Sequence, residues 1–410
     1  MNNTSADGAS GSQVDAQGGA RTTRGSRGKI KVVAAVVVIL AITIVTAGWL
    51  AGWFAPTSPA VASKKCAGNV ELAGVGAYSV GPAMRSWSAE FNTTACAKVT
   101  YASVGSGVDE LAAKSVDFAV VDTPLNSSEV TQLGLVPMVL PVALEATSVV
   151  YNIPGVPTGL HLTGGTLAAI YLGAITNWNN STIQALNPAV RLPSNLPITP
   201  VHCSGGCPTT LLFTGYLSQA NSTWNDTIGA SASPTWPAVG AGESGSLAVA
   251  SEVGLIPGAI GYAELPLAQQ ANLTWADLQN PADAFVSPSA ANTTAAAATV
   301  FPTLPPETGL PSNLSILNEA GATSYPMATL SYVVVYQDVG VAYNGTLTKV
   351  TAQWLGAYIL WVTTAAQPNG IPLGYAPLPA ILVTWNQDSL EKLLYDGVSV
   401  LPGGDSGGEA

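Results

Sequence analysis

An α/β fold in two lobes, preceded by one transmembrane helix, is predicted by three features of the sequence. Strands and helices alternate through residues 70–121, which is typical of a parallel sheet covered by helices. Two apolar, β-branched runs at 147–153 and 330–336 each lie next to a proline, and we interpret them as the strands that cross between the lobes. An apolar run at 32–54 is long enough to cross a bilayer as a helix.

The alternation can be followed element by element in the first lobe. A short strand at 70–72 leads into a glycine-rich turn, and the helix after it has apolar residues at helical spacing, namely Val80, Met84, Trp87 and Phe91. A strand containing Val99 and Tyr101 follows, then a short helix at 108–112 and an apolar strand at 116–121. This order predicts a βαβαβ unit.

The composition of the chain places the segment boundaries. A polar tail rich in Gly, Ser and Asn lies before the apolar run, and a Pro/Ser/Ala linker follows it. The predicted segments are a disordered cytoplasmic tail at 1–31, a transmembrane helix at 32–54, a linker at 55–69, lobe 1 at 70–148 plus 327–400, lobe 2 at 149–326, and a flexible tail at 401–410.

The charge around the apolar run predicts its orientation. The run begins at Val32 and ends at Phe54, and five basic residues precede it: Arg21, Arg24, Arg27, Lys29 and Lys31. By the positive-inside rule, the domain after the run lies outside the cell, anchored in the cell membrane by a single pass. The alternative is a signal peptide cleaved near 60–62, but the run is longer than such segments usually are. We favour the uncleaved anchor.

The remaining composition argues against a nucleic-acid partner. The net charge is −11, and only eight of the thirteen Lys and Arg residues follow the apolar run. Asn-X-Ser/Thr sequons recur through the exported part and indicate a surface that could carry glycans; they lie at Asn92, Asn126, Asn180, Asn221, Asn225, Asn272, Asn292, Asn313 and Asn344.

All four cysteines follow the apolar run, and an even number in an exported domain predicts disulfides. Cys203 and Cys207 are close enough in sequence to form a local bridge, which leaves Cys66 to pair with Cys96. A zinc site is the alternative, but His161 and His202 are the only histidines. We therefore expect disulfides and no bound metal or cofactor.

Three strand-to-helix turns carry hydroxyl residues where a helix is expected to begin. They are Gly74-Val-Gly-Ala-Tyr78-Ser79, the turn with Ser106 and Gly107, and the segment from Cys203 to Thr209. Helix N-termini offer free N–H groups and partial positive charge, so three together could bind an oxyanion. Each could equally be an ordinary helix cap, with Ser106 as the N-cap and Asp109 completing a capping box.

Asp122 follows the strand at 116–121 and precedes Thr123 and Pro124. A carboxylate in this place could simply cap the next turn. In an oxyanion site it would instead accept a hydrogen bond from a protonated ligand oxygen and repel a fully ionised one.

The order of these motifs resembles the phosphate-binding protein family of ABC importers, which has the type II periplasmic-binding-protein fold with two hinge crossings. The similarity extends from about residue 70 to 396. The opening glycine turn, the Gly105-Ser106-Gly107 loop and the segment from Asp117 to Pro124 match the family, and so do later motifs at 170–173, 186–188, 213–217, 257–262 and 374–379. The resemblance implies ligand positions at Tyr78, Ser79, Ser106 with Gly107, and Asp122, with an ABC permease as partner.

One family loop is altered in this chain. The family supplies an arginine, an aspartate and a hydroxyl to phosphate from a loop that matches 203–209, where both the arginine and the aspartate are missing. The remaining candidates there are His202, Ser204 and Thr209, and His202 could add positive charge only in acid. The expected function is capture of phosphate or a related oxyanion for an importer, without enzymatic activity. Alternatives are a receptor of this fold for a different ligand and a surface or adhesion protein that has lost transport.

Overall fold

The computed structural model describes residues 70–237, 239–300 and 315–401. The predicted cytoplasmic tail, the transmembrane span, the linker with Cys66, and residues 402–410 of the predicted C-terminal tail lie outside the described residues. Within the described ranges no helix is both long and apolar enough to cross a membrane.

Strands and helices alternate from the first described residue, as the sequence predicts. They are β1 (Val70–Gly76), α1 (Gly81–Thr94), β2 (Ala97–Ser103), α2 (Val108–Ala112), β3 (Phe118–Val121), α3 (Ser127–Leu133) and β4 (Pro137–Tyr151). The apolar stripe of α1 is buried at Met84, Trp87 and Phe91, so its helical spacing is confirmed.

The middle of the chain continues the same alternation. Its elements are β5 (Leu160–Leu162), α4 (Gly164–Tyr171), α5 (Ser181–Leu186), β6 (Thr199–Cys203), α6 (Pro208–Ala220), α7 (Ser222–Thr227), β7 (Ala241–Glu243), α8 (Ser246–Leu255), β8 (Ala259–Glu264), α9 (Leu265–Gln270), β9 (Thr274–Gln279) and β10 (Phe285–Val286).

The last described part is mostly helical. It comprises α10 (Ala290–Val300), β11 (Ala328–Tyr336), α11 (Val339–Tyr343), α12 (Lys349–Val362), α13 (Gln367–Gly370), a 3₁₀ turn (Ile371–Leu373), α14 (Ala380–Leu390), β12 (Leu394–Tyr395) and β13 (Val398–Ser399).

One continuous sheet links the two halves of the protein, in the strand order β2-β1-β3-β11-β4-β8-β6-β7. At one end β1 pairs in parallel with β2 and β3, and at the other β6 pairs in parallel with β7 and β8. The long central strands β4 and β11 are antiparallel to each other. The sheet therefore has a parallel unit at each end, joined by an antiparallel centre.

Two separate hydrophobic cores define two lobes. Along β4 the first core ends at Leu144 and the second begins at Ala146. The chain returns between Met327 in the second core and Ala328 in the first. Helix α10 precedes this return, yet its Ala296 and Ala297 pack in the first core. The chain thus passes directly between the cores at two neighbouring strands.

Strand β4 starts at Pro137, well before the apolar run at 147–153. Its first half contains Pro141 and Glu145, which interrupt the apolar pattern of the sequence. The pairing of β4 with β11 shifts register between Ser331 and Tyr332, which face Ala143 and Pro141 respectively. A proline cannot donate to a sheet, so it is tolerated at such a bulge. The bulge lies beside the place where the two cores meet.

Candidate functional site

A cavity of about 60 Å³ lies between the two lobes. Such a volume is several times the ~15 Å³ that one water molecule needs, so it can hold a small ion of a few heavy atoms. Residues of both lobes line it: Ser79, Asp122, Thr123, Glu145, Thr147, Pro208, Thr209, Leu211, Leu212, Glu264 and Thr329.

Asp122 follows β3 and is the cavity residue that the sequence singles out. Its Oδ1 accepts hydrogen bonds from Ser79 Oγ at 2.6 Å and from Ser331 Oγ at 3.1 Å. Burial raises the pKa of Asp122, while these two serine bonds act in the opposite direction. Ser79 precedes α1 and Ser331 belongs to β11, so segments distant in sequence orient one carboxyl group.

Glu145 is a second carboxyl in the cavity, and the sequence analysis does not identify it. Its side chain is 1% exposed, Oε1 lies 2.9 Å from Ser331 Oγ, and Oε2 has no hydrogen-bond partner. Burial, together with the negative charges of Asp122 and Glu264, raises the pKa of Glu145 to about 8, against the effect of hydrogen bonds with Ser331 and Ser79. The signal in the sequence is an acidic residue within an otherwise apolar strand.

Glu264 ends β8 on the opposite lobe and has a similar environment. Its Oε1 accepts from Ser246 Oγ at 3.2 Å, and its Oε2 is buried without a partner. Burial raises the pKa of Glu264 to about 7, against the effect of the Ser246 hydrogen bond. The cavity therefore holds three carboxyl groups, and no Lys, Arg or His is among the described residues that line it.

The altered loop forms the start of α6. Cys203 and Cys207 are joined in a disulfide, as predicted, and Cys207 is the N-cap residue of α6. Pro208 and Thr209 follow directly and line the cavity, where Thr209 Oγ1 lies 2.9 Å from Ser246 Oγ. The bridge thus fixes the residue before the helix N-terminus that faces the cavity. Cys96 is also disulfide-bonded; its predicted pairing with Cys66 stays a prediction.

The remaining predicted ligand residues do not line this cavity. Tyr78 is 68% exposed, and Ser106 and Ser204 are exposed as well. Ser204 is held by the carbonyl oxygen of Glu243 instead.

Ser106 is also not the N-cap of α2. Gly107 occupies that position with φ 70°, a backbone conformation that favours glycine, while the Val108 N–H of the first turn donates to Ser106 Oγ at 3.4 Å. Asp109 therefore does not complete a capping box with Ser106. Two of the three predicted helix starts, those of α1 and α6, bring a hydroxyl residue to the cavity, and the third does not.

His202 lies outside the cavity, with its ring stacked on Trp236 at 4.3 Å between centroids. Its Nδ1 lies 3.3 Å from the carbonyl oxygen of Cys203. Burial lowers the pKa of His202, so the imidazole is less readily protonated than an exposed one. The expectation that His202 supplies positive charge in mild acid is therefore not supported by its surroundings. In the part of the chain that is described, no cluster of three or more His, Cys, Asp or Glu residues is arranged to hold a metal ion.

A family model and curated relatives of known proteins both match most of this chain. Residues 55–366 match the family model of a PBP superfamily domain. The chain is 35% identical to the phosphate-binding protein PstS of Xylella fastidiosa over 77% of this chain and 83% of that protein. It is 34% identical to PstS of Pasteurella multocida over 75% and 86% of the two chains.

The fold has close counterparts among solved structures. A high-affinity periplasmic phosphate-binding protein, PfluDING, solved with bound phosphate, superposes with a TM-score of 0.60 at 18% identity, covering 82% of this chain and 97% of that one. At this identity the likeness establishes the fold: a mixed α/β, two-lobed, periplasmic-binding-protein-like architecture. Together with the family match and the curated relatives, it shows that this chain belongs to the PstS family of phosphate-binding proteins within the PBP superfamily.

Proposed function

We propose that this protein is an extracytoplasmic solute-binding protein that captures phosphate, as the singly charged H₂PO₄⁻ ion, and delivers it to an ABC permease. The observation that carries the proposal is Asp122, held by two serines in a cavity between the lobes of a PstS-family chain. Its carboxylate can accept a hydrogen bond from a protonated phosphate oxygen. Of the ligand residues predicted from the sequence, we propose Ser79, Asp122 and Thr209 as binding residues.

Two helix N-termini beside the cavity support an oxyanion ligand. Ser79 precedes α1 and Thr209 lies in the first turn of α6, so each adds a hydroxyl group beside a helix N-terminus. Helix N-termini favour negative charge because their first N–H groups have no partner within the helix. Tyr78, Ser106, Gly107, His202 and Ser204 have no place in this proposed site, since they do not line the cavity.

The charge of the cavity supports the singly charged form of phosphate. Three carboxyl groups and no cationic side chain are among the described residues that line it, so these residues offer no counter-charge to a second negative charge on the ligand. Ionised Asp122 would repel a phosphate oxygen that carries no proton and attract one that does. Binding should therefore depend on protonation of both ligand and site.

We expect phosphate to bind at least tenfold more tightly at pH 6 than at pH 8.5. Towards pH 8.5 the ligand becomes doubly charged, and Glu145 and Glu264, whose pKa values burial raises to about 8 and about 7, become ionised. Titration calorimetry at the two pH values measures this ratio, with sulfate, which carries no proton at either pH, as the non-binding control. Equal affinity at both pH values would contradict the proposal.

The absence of cationic side chains from the described cavity lining also supports a second candidate function. A receptor of the same fold could bind a neutral or cationic molecule that donates hydrogen bonds to these carboxyl groups. The same titration distinguishes the candidates, because a protein that binds no phosphate at either pH belongs to the second class.

We propose further that residues 32–54 anchor the protein in the cell membrane with the binding domain outside. The support is the length of the apolar run and the five basic residues before it. Protease added to intact cells is expected to degrade an epitope in the binding domain and to spare a tag at the N-terminus. Release of a soluble form that begins near residue 63 would indicate cleavage instead.

A further inference from the structure

Three oxygen–oxygen contacts around Asp122 share the hydrogens of two serines. Ser331 Oγ lies 3.1 Å from Asp122 Oδ1 and 2.9 Å from Glu145 Oε1, and Ser79 Oγ lies 2.6 Å from the same Asp122 oxygen. Two serine hydroxyls provide only two hydrogens, so Ser331 either divides its hydrogen between the two carboxyl groups or accepts a hydrogen from one of them. In the second arrangement each contact has its own hydrogen, and the third hydrogen belongs to Asp122 or Glu145.

Burial and hydrogen bonding assign that proton to Glu145. Asp122 is half-buried and accepts from both serines, which stabilises its charge. Glu145 is 1% exposed, and burial outweighs the hydrogen bonds with Ser331 and Ser79 that would favour its charge. The hydrogen bonds then form a chain in which Glu145 Oε1 donates to Ser331 Oγ and Ser331 donates to ionised Asp122.

The groups that surround Glu145 offer no compensating positive charge. Among the described residues, those coupled to it electrostatically are the acids Asp122 from the end of β3 and Glu264 from β8, and the phenols Tyr101 from β2 and Tyr375. Asp122 and Glu264 favour a neutral Glu145 when they are ionised, and the two phenols, whose pKa values burial raises, add no positive charge. Burial acts in the same direction and raises its pKa to about 8.

We propose that Glu145 is a ligand-binding residue that acts as a neutral carboxylic acid, with its unpartnered Oε2 accepting a hydrogen bond from the ligand. This inference rests on the proposed function. Oε1 is occupied by Ser331, so Oε2, which is buried without a partner on a cavity-lining side chain, is the oxygen left for a ligand. H₂PO₄⁻ has two O–H groups and can satisfy two acceptors, Asp122 and Glu145, whereas HPO₄²⁻ has one. Glu145 therefore helps to select the singly charged ion in a site whose described lining includes no arginine.

Two substitutions at this position test the inference. Glu145→Gln mimics the neutral acid, since its amide N–H can donate to Ser331 and its carbonyl can accept from the ligand. We expect its phosphate affinity to stay within about threefold of wild type at pH 6. At pH 9 we expect it to bind about tenfold more tightly than wild type, whose Glu145 is then ionised in about ten molecules of eleven. Glu145→Leu removes the acceptor and is expected to weaken binding at pH 6 by tenfold or more.

The matched control is Glu391→Gln, an exposed acid at the end of α14, which should leave phosphate binding unchanged at every pH. Circular dichroism of each variant establishes that it is folded. A folded Glu145→Gln protein that binds tenfold more weakly at pH 6, or a Glu145→Leu protein that binds like wild type, would overturn the inference.

A measurement without ligand separates this inference from the proposed function. Infrared difference spectra of the ligand-free protein at pH 7, wild type minus Glu145→Gln, should show the carbonyl band of a protonated carboxylic acid. If the band is present and phosphate does not bind at any pH, the proposed function fails while the neutral state of Glu145 stands. If the band is absent, Glu145 is ionised and the inference fails, whatever the affinity for phosphate.

Discussion

Glu145 alone is expected to cost the ligand-free protein on the order of 3 to 5 kcal/mol of unfolding free energy between pH 5 and pH 8.5, and Glu145→Gln is expected to remove this part of the pH dependence. Burial raises the pKa of Glu145 from 4.5 to about 8 in the folded protein. Between these values the folded state holds a proton that the unfolded state has released, so the stability falls as pH rises. Each pKa unit corresponds to about 1.4 kcal/mol.

The direction in which the unfolding free energy changes, and the pH range of that change, are those expected for a buried acid with a raised pKa. The stabilising contribution is complete below pH 4.5 and is lost as pH rises through about 8. Glu145→Gln has no such proton, so its unfolding free energy should depend less on pH over this window. Urea unfolding at a series of pH values measures both curves, with Glu391→Gln as the exposed control. Parallel curves for wild type and Glu145→Gln would show that Glu145 does not carry an extra proton in the folded protein.

Much of the fold follows from local sequence patterns. The helix with Met84, Trp87 and Phe91 has the 3.6-residue apolar period, and β3 is an uninterrupted apolar run, so both could be predicted. The first half of β4 could not, because Pro141 and Glu145 interrupt its pattern. Only the bulge opposite Ser331 and Tyr332, a feature of the pairing between two distant strands, makes room for the proline.

The binding site is predictable only where one local motif supplies it. Asp122, Ser79 and Thr209 each belong to a recognisable strand-to-helix turn. Glu145 and Glu264 do not, since a single acid in an apolar strand gives no sign of what it faces. Their proximity depends on how β4, β8 and β11 are arranged in the sheet, which a single sequence does not reveal.

The altered loop at 203–209 shows the same limit of prediction from a single sequence. In the sequence His202 lies beside the place of the missing arginine and is a reasonable substitute for it. In the structure β6 carries His202 onto Trp236 and away from the cavity, while the disulfide places Pro208 and Thr209 there. Adjacency in sequence did not predict adjacency in the site, because the cavity is lined by the start of α6 and by no residue of β6 among those described.

Asp122→Asn is expected to weaken phosphate binding at pH 6 by about ten- to a hundredfold. The substitution keeps the shape of the side chain and an oxygen for Ser79 and Ser331, but it removes the charge that accepts the ligand proton. A hydrogen bond to a charged group contributes on the order of 1.5–3 kcal/mol, which corresponds to one to two decades in the dissociation constant. Titration calorimetry measures the loss, and Asp388→Asn, an exposed acid of α14, is the matched control.

A second consequence of Asp122→Asn can be measured without any ligand. The negative charge of Asp122 is one of the causes that raise the pKa of Glu145, so its removal should lower that pKa. The fall in unfolding free energy with pH should then end at a lower pH, and be smaller in total, in Asp122→Asn than in wild type. If Asp122→Asn shows this shift but binds phosphate as tightly as the parent, Asp122 belongs to the carboxyl cluster without binding phosphate. The non-phosphate receptor would then be the better account of this cavity, because its acidic wall would face a ligand that brings the positive charge or the hydrogens itself.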